Sequence, residues 1–313
     1  LQYVTINGKP FDAENDRIAI YGSGTVIIPS GMQTAQEALT VYTGKNFTGD
    51  SQSYEINTYH NQLGKFDNRI QSFKLKKGFA ATLANNPDGT GFSRMFIASD
   101  EDVEFPEMPE GMEGFVSFIR VFKWEWTGKK GWAGGPSDQV NVSVFYDWDA
   151  GGDTENIDRE YVPMRHNLGW QSFEVINSRN NVSHLLGYNE PDRSDQSNMS
   201  VAHAIEQWPE MFKSGLRLGS PAPSSTPKAW LTDFMAICDS LNYRVDFVVT
   251  HAYQHQATSW WDWNIGATSR TANGRPVWIT EWNNGANWTG ESWPDASGPQ
   301  RDANMNIIYD ENG

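Results

Sequence analysis

Three things are scarce in this sequence: cysteine, basic residues and long apolar runs. The one cysteine, Cys238, cannot form an internal disulfide, and its apolar surroundings in FMAICDSL indicate a buried, unreactive thiol. With 24 basic against 39 acidic residues, the formal charge is −15, which repels phosphate backbones and anionic lipid headgroups. No apolar stretch reaches the ~18 residues that a membrane span requires. Nucleic acid and a membrane-spanning segment are therefore not expected.

Aromatic residues are abundant, with 14 Trp, 11 Tyr and 16 Phe. Many of these rings stand in polar, glycine-rich stretches, namely residues 122–135, 258–264 and 283–293. Flat rings in wet loops suit sugar faces, whose C–H patches are apolar while their hydroxyls need polar neighbours. Together these segments favour a carbohydrate groove, while packing beneath long loops stays open for any single tryptophan.

The length of 313 residues allows one large domain or two unequal ones. The sequence has no signal-peptide pattern, and it begins at Leu1 without methionine, so we expect either a trimmed mature start or an engineered one. Residues 101–114 are acidic and contain two prolines and two glycines, which is typical of a linker. We therefore predict a β-sheet domain at 1–104, a linker or interdomain segment at 105–139 and a second domain at 140–313. We expect a monomer.

The first of these regions shows short alternating segments separated by turn residues, which predicts a small antiparallel sheet domain. The spacing of Tyr42, Phe47 and Gly49 resembles the strand and folded hairpin of a βγ-crystallin Greek key. In that hairpin the glycine takes a conformation barred to residues with a Cβ. The resemblance implies an all-β Greek-key fold for this domain.

Crystallin-type domains can hold calcium through two adjacent Asn or Asp residues and a later pair of hydroxyl residues. Asp67, Asn68 and Ser72 match this pattern, but Gln71 stands where a hydroxyl is expected, so the ligand set is incomplete. We therefore expect the protein to require no cofactor. A structural Ca²⁺ held by Asp67, Asn68 and Ser72 stays open as the weaker alternative.

After residue 139, apolar runs alternate with stretches of helical spacing. The predicted strands are residues 140–148, 159–164, 182–191, 217–223, 245–253 and 276–282, and the predicted helices are 200–215 and 228–242. This alternation predicts a parallel sheet covered on both faces. A (β/α)8-type, TIM-like barrel is the leading prediction, with an open doubly wound sheet second. Residues 299–313 supply no further strand and helix, so the barrel is either incomplete or extends outside this sequence.

Two of these strands end in a carboxylate, at Glu190 and Glu281. In a barrel, functional residues gather at the carboxyl ends of the strands, so these two side chains are expected at a common rim. Glycoside hydrolysis needs such a pair, one protonated to release the leaving oxygen and one ionised to act at the anomeric carbon. A separation of ~5 to 5.5 Å gives retention of configuration, whereas ~6.5 Å or more gives inversion.

The motifs LGYNEPD and WITEW, with SPAP and THAY between them, resemble glycoside hydrolase family 128 of the retaining clan A. The resemblance covers about residues 140–290 and implies a (β/α)8-type barrel with endo-β-1,3-glucanase activity. It further implies that Glu190 is the general acid/base and Glu281 the nucleophile. Asn189 would hold the sugar 2-hydroxyl, Tyr253 would hydrogen-bond to the nucleophile, and His251 would line the catalytic subsite.

Five further aromatic side chains are candidates for sugar subsites. On the side of the nucleophile they are Trp282, Trp288 and Trp293, and on the first barrel strand they are Tyr146 and Trp148. Trp124, Trp126 and Trp132 precede that strand and form either a lip on the groove or a seal between the domains.

We therefore expect a secreted, periplasmic or cell-surface bacterial enzyme that cleaves a polysaccharide, most specifically an endo-acting β-1,3-glucanase. Hydrolysis of an algal galactan, of the agarase or porphyranase type, stays open because loops and tryptophans choose the sugar. A non-catalytic glycan-binding protein is the alternative from another class. The presence of both glutamates argues against it, because a lectin gains nothing from a protonated acid opposite an ionised one.

Overall fold

The computed structural model describes residues 5–6, 9–10, 17–21, 24–28, 38–124, 128–134, 140–152, 159–179, 182–224, 229–253 and 258–283. Within them the chain is a mixed α/β protein whose first half is made of antiparallel strands and whose second half alternates strands with helices. Near the start, β1 (Thr5–Ile6) pairs with β2 (Lys9–Pro10), and β3 (Arg17–Tyr21) pairs with β4 (Gly24–Ile28).

Eight strands between residues 39 and 123 form two antiparallel four-stranded sheets. They are β5 (Leu39–Tyr42), β6 (Ser51–Tyr54), β7 (Tyr59–His60), β8 (Ser72–Leu75), β9 (Phe79–Ala84), β10 (Ser93–Ala98), β11 (Val103–Phe105) and β12 (Phe118–Lys123). The sheet orders are β11-β8-β5-β6 and β10-β9-β12-β7. Of the first four strands, β5 to β8, the third one, β7, lies in the sheet of the second four. In the same way β11, the third strand of the group β9 to β12, lies in the sheet of the first four. Leu39, Val41, Phe73, Leu83 and Ile119 belong to the buried apolar core of this half.

The hairpin between β5 and β6 shows why its sequence has Tyr42, Phe47 and Gly49 at these positions. The Tyr42 and Phe47 rings meet edge to face with centroids 5.7 Å apart. Gly49 has φ +78°, and a Cβ there would stand 2.6 Å from the Thr43 hydroxyl. Only glycine fits this position without strain.

The predicted linker at 105–139 contains β12, which is hydrogen-bonded along β9 and β7. Its Phe118, Ile119 and Val121 side chains are buried, so apolar burial draws this segment into the sheet. The acidic residues with proline and glycine that indicated a linker end before β12 begins. The division into domains at residues 104 and 139 stays a prediction.

The described residues of the second half form seven strands. They are β13 (Gly131–Ala133), β14 (Val144–Tyr146), β15 (Glu160–Tyr161), β16 (His184–Leu185), β17 (Arg217–Leu218), β18 (Val248–Tyr253) and β19 (Val277–Asn283). Parallel ladders join β13 to β14 to β15, β16 to β17, and β18 to β19. Single parallel bridges, Met164 to Leu186 and Gly219 to Phe247, connect these three groups. The strands thus follow one another in chain order, as predicted. No closed barrel is seen among the described residues, so the TIM-like barrel stays a prediction.

Where the structure describes the chain, five helices accompany these strands: α1 (Phe173–Asn177), α2 (Val201–Gln207), α3 (Pro209–Phe212), α4 (Ala229–Ser240) and α5 (Thr258–Ala272). Ser172 and Ser200 begin α1 and α2, because each hydroxyl accepts a backbone N–H three residues on. Leu231, Phe234, Met235 and Cys238 form the buried stripe of α4. In the described part of the chain, no helix has the length and apolar character needed to cross a bilayer.

The aromatic stretch at residues 258–264 was expected in a wet loop, and this expectation is wrong because the stretch opens α5. Helix α5 contains no proline, and its one glycine is Gly266. Asn264 and Thr268 are buried one turn apart, while Asp262 and Trp263 on the same helix are exposed. One face of the helix therefore packs on the protein, which favours helix over loop.

A polar contact joins the two halves at the amino ends of the parallel strands. Arg120 is fully buried, and its guanidinium donates to the Tyr59 hydroxyl and to the backbone carbonyls of Ser214 and Arg179. Thr82 donates to the Gly215 carbonyl at 2.7 Å. Ser214 and Gly215 lie just before β17, so the first half contacts the second half away from the carboxyl ends of the strands.

Candidate active site

The carboxyl ends of β16 and β19 bring the two predicted glutamates together. Glu190 follows β16, and its backbone N–H donates to the Ala222 carbonyl at 2.9 Å. Glu281 lies in β19 opposite His251 of β18. All three side chains are buried, and one carboxylate oxygen from each glutamate and one ring nitrogen of His251 lie within 4.8 Å of one another.

The spacing of the two carboxylates bears on the reaction that they can perform. Oxygen atoms of Glu190 and Glu281 approach within 4.8 Å. Retaining glycosidases hold their carboxyl groups ~5 to 5.5 Å apart, while inverting ones need ~6.5 Å or more to admit a water. The approach of the nearest oxygens therefore fits the closer, retaining arrangement, in which one carboxylate attacks the sugar directly.

Glu281 accepts hydrogen bonds on both carboxylate oxygens. Oε1 accepts from the Trp148 indole N–H at 2.7 Å and the Tyr146 hydroxyl at 3.1 Å, and Oε2 accepts from the Tyr253 hydroxyl at 2.7 Å. Burial raises the pKa of both tyrosines, and the negative charge of Glu281 raises it further. Both phenols therefore remain protonated donors, so Glu281 has three hydrogen-bond donors around its carboxylate.

Glu190 has a different environment. Its Oε1 lies 2.8 Å from Nδ1 of His251, and its Oε2 lies 3.5 Å from Nε of Arg193. The same His251 nitrogen is 3.4 Å from Glu281, so this ring stands between the two carboxylates. Glu190 has φ +39° and Trp148 has φ +61°, both in the left-handed region. Strained backbone of this kind clusters at functional sites, where the surrounding structure holds it in place.

Asn189 offers an unused acceptor beside the carboxylates. Its side-chain N–H donates to Gln196 at 3.0 Å, which fixes the orientation of the amide. Its Oδ1 is buried and has no hydrogen-bond partner among the described residues. A buried acceptor without a partner is costly unless a ligand or water satisfies it, and a sugar hydroxyl fits that need.

The remaining predicted residues are distributed unevenly. Trp282 follows Glu281 and is 61 % exposed, as a rim residue would be. Trp288 and Trp293 lie outside the described residues, as does Trp126. Trp124 packs near the buried His184 ring, at 5.4 Å, which favours the sealing role over the lip.

The candidate calcium ligands lie in the first half of the chain, around β8. The Asn68 amide donates to Asp67 at 3.2 Å, and both residues are exposed. The Ser72 hydroxyl is engaged by the hairpin, because it donates to the Gly44 carbonyl at 2.6 Å and accepts from the Phe47 N–H at 3.0 Å. A structural Ca²⁺ at Asp67, Asn68 and Ser72 stays a prediction.

Two residues near the site, His166 and Trp170, were missed from the sequence. The predicted strand before them ends at Met164, whose side chain is neither polar nor aromatic and so gave no reason to expect site residues there. Burial lowers the pKa of His166, and the charges of Glu281 and Glu190 oppose that shift, so the ring lies within electrostatic range of both carboxylates. A tryptophan in the polar, glycine-containing run RHNLGW was the available signal.

A close pair of buried carboxylates at the carboxyl ends of parallel strands is the arrangement that glycoside hydrolases use. The chain belongs to the family described as glycosyl hydrolase catalytic core, whose model matches residues 123–306.

Similar proteins include solved structures from glycoside hydrolase family 128. One is a subgroup I endo-β-1,3-glucanase from Amycolatopsis mediterranei in complex with laminaritriose, with 31 % identity over 54 % of this chain and 78 % of that one, and a TM-score of 0.47. Another is a subgroup III curdlan-specific exo-β-1,3-glucanase from Blastomyces gilchristii, with 28 % identity over 47 % of this chain and 69 % of that one, and a TM-score of 0.39.

A curated relative is alkali-sensitive linkage protein 1 of Schizosaccharomyces pombe, which is 26 % identical over 172 residues. The match covers 51 % of this chain and 29 % of that protein, so the chain spans under a third of the relative's length.

Proposed function

We propose that the protein is a retaining endo-β-1,3-glucanase of glycoside hydrolase family 128. The observation that carries the proposal is the approach of the Glu190 and Glu281 oxygens within 4.8 Å, with three donors on Glu281. The choice of β-1,3-glucan is supported by 31 % identity to the Amycolatopsis mediterranei endo-β-1,3-glucanase across 54 % of this chain.

In the first step, the Glu281 carboxylate attacks the anomeric carbon and forms an ester bond, while the glycosidic C–O bond breaks. Glu190 transfers its proton to the departing oxygen. The leaving chain departs as an alcohol, and Glu190 is left as a carboxylate.

In the second step, Glu190 removes a proton from a water molecule, whose oxygen attacks the anomeric carbon and breaks the ester bond to Glu281. Glu190 is protonated again and Glu281 regains its charge. Two displacements at one carbon return the original configuration.

The neighbouring side chains support each step. Tyr253 and Trp148 donate to the Glu281 oxygens, so they orient the carboxylate for attack and stabilise its charge when the ester breaks. The unpartnered Oδ1 of Asn189 is placed to accept a sugar hydroxyl, since the bond to Gln196 fixes the amide.

A substrate panel tests the proposal. Laminarin, curdlan, mixed-linkage glucan, agarose and porphyran would be incubated with the unsubstituted protein and with Glu190→Gln and Glu281→Gln, and new reducing ends measured. Glu206→Gln on α2 serves as the matched control, because this glutamate is exposed on a helix. We expect cleavage of the β-1,3-glucans, loss of at least a thousandfold in both site variants and no loss in the control.

The same panel separates the alternatives. Cleavage of agarose or porphyran alone would replace glucan by galactan as the substrate. Binding without new reducing ends on any glycan would make the protein a lectin and refute the enzyme.

The first half of the chain is proposed to be a βγ-crystallin-type pair of Greek keys. Support comes from the exchange of the third strand between the two sheets and from the hairpin at Tyr42, Phe47 and Gly49. The whole protein is proposed to act outside the bacterial cytoplasm, as a secreted, periplasmic or cell-surface enzyme, because polymeric glucans are met there. Detection of the protein in the culture medium or envelope fraction tests this location.

A further inference from the structure

We propose that Trp170, backed by His166, is a stacking platform for one pyranose ring of the substrate, directly beside the catalytic pair. The inference rests on the proposed function and deepens it, because it assigns a sugar subsite to the loop after β15.

The loop is tied to the backbone at the acid/base glutamate. The His166 carbonyl accepts from the Asn189 N–H at 3.0 Å and also from the Ser197 hydroxyl. Asn189 immediately precedes Glu190. His166 is therefore held next to the strand end that carries the proposed proton donor.

The tip of the loop is held by its own hydrogen bonds. Asn167 and Trp170 exchange backbone bonds of 3.0 and 3.3 Å, and the Asn167 side chain accepts from Gly169 N–H at 2.8 Å. Arg165 donates to the Leu168 carbonyl at 2.6 Å. A ring presented by such a loop loses little further conformational entropy on binding a ligand, so its contact area contributes more fully to affinity.

The Trp170 ring is held and half-exposed at the same time. Its centroid lies 5.7 Å from that of His166 with a tilt of 32°, and the residue is 48 % exposed. His166 is half-buried, and burial lowers its pKa while the charges of Glu281 and Glu190 oppose that shift. The imidazole is therefore neutral above mildly acidic pH and acts as a rigid aromatic support.

The chemistry of the surroundings fits a pyranose. One face of a glucose ring carries axial hydrogens and is apolar, while its equatorial hydroxyls need polar partners. Trp170 supplies a flat apolar surface, and polar groups border it, because the Asn167 amide nitrogen lies 3.2 Å from Nδ1 of His166 in the same loop. Carbohydrate sites combine these elements, with apolar area for affinity and a few fixed polar groups for orientation.

A comparison of two substitutions tests the platform. Trp170→Phe keeps a flat ring, whereas Trp170→Leu keeps apolar volume without a flat face. Phe115→Leu is the matched control, because Phe115 is 58 % exposed and lies in the first half of the chain. Values of kcat and KM would be measured on β-1,3-linked oligosaccharides, and Kd by titration in the Glu281→Gln background.

We expect Trp170→Leu to raise KM and Kd about tenfold and Trp170→Phe to stay within about threefold of the unsubstituted protein. Phe115→Leu is expected to have no effect. Equal behaviour of the Leu and Phe variants would overturn the platform, because apolar packing would then explain the residue.

Failure of the proposed function is seen separately, in the unsubstituted protein. If it cleaves only a galactan, the three variants are compared on that glycan. The difference between Trp170→Leu and Trp170→Phe then tests the platform in the same way. If it neither binds nor cleaves any glycan of the panel, both proposals are refuted.

Discussion

Tyr253→Phe is the sharpest single test of how the site holds its nucleophile. The substitution removes one oxygen atom, which donates to Glu281 Oε2 at 2.7 Å, and leaves the ring in place. Among the described residues, Oε2 then keeps His251 Nδ1 at 3.4 Å, whereas Oε1 keeps both Trp148 and Tyr146. The charge that returns to Glu281 when the ester breaks loses one of its donors, so the second chemical step should slow.

The expected size follows from the energy of a hydrogen bond to a charged group, which is about 1.5–3 kcal/mol. Such a loss corresponds to about 10 to 150-fold in rate. Because the charge is only partly developed in the transition state and the other oxygen keeps its donors, we expect a loss of about tenfold in kcat. Accumulation of the glycosyl-enzyme should lower KM at the same time.

Initial rates on the cleaved glucan give kcat and KM, and Tyr188→Phe provides the matched control. Tyr188 is fully buried two residues before Glu190, and its hydroxyl has no hydrogen-bond partner in the part of the chain that the structure describes. The control should keep its kcat within about twofold. Equal kcat values for Tyr253→Phe and Tyr188→Phe would refute the role of the hydroxyl.

Three further outcomes are expected. Asn189→Ala should lower kcat/KM about tenfold on the glucan but not on a 2-deoxy glycoside, and equal losses on both would exclude contact with the 2-hydroxyl. Burial raises the pKa of the Cys238 thiol to about 12, so the native protein should not react with a disulfide reagent at pH 8 until it is unfolded. Ser72→Ala should lower the free energy of unfolding by about 1–3 kcal/mol, because the Gly44 carbonyl and the Phe47 N–H lose their hydrogen-bond partner. Calcium or a chelator should leave the melting temperature of the unsubstituted protein unchanged, and a calcium-dependent rise would show that the protein binds calcium.

The order of the parallel strands and the two glutamates at their ends could be predicted from the sequence. Apolar runs that stop at polar residues, such as LLGYNE and WITE, carry that information locally. The distance between Glu190 and Glu281 could not be predicted from the sequence. The two residues are 91 positions apart, so only the tertiary fold sets their separation.

Other features depended on contacts that no local pattern reveals. His166 and Trp170 follow a strand end with no polar residue. A backbone hydrogen bond from the Asn189 N–H to the His166 carbonyl holds their loop at the site. The aromatic stretch at 258–264 resembled a wet loop, and packing of one face turns it into a helix. Arg120 lies in an otherwise apolar strand, and its buried guanidinium donates to two backbone carbonyls from the other half of the chain.

The anomeric configuration of the first product is the most direct test of double displacement at Glu190 and Glu281. Proton NMR during cleavage of the glucan by the unsubstituted protein records it before mutarotation. Because the two carboxylates lie within 4.8 Å, the new reducing end should appear first in the β configuration, and the α form should grow in later. A first product in the α configuration would contradict the mechanism.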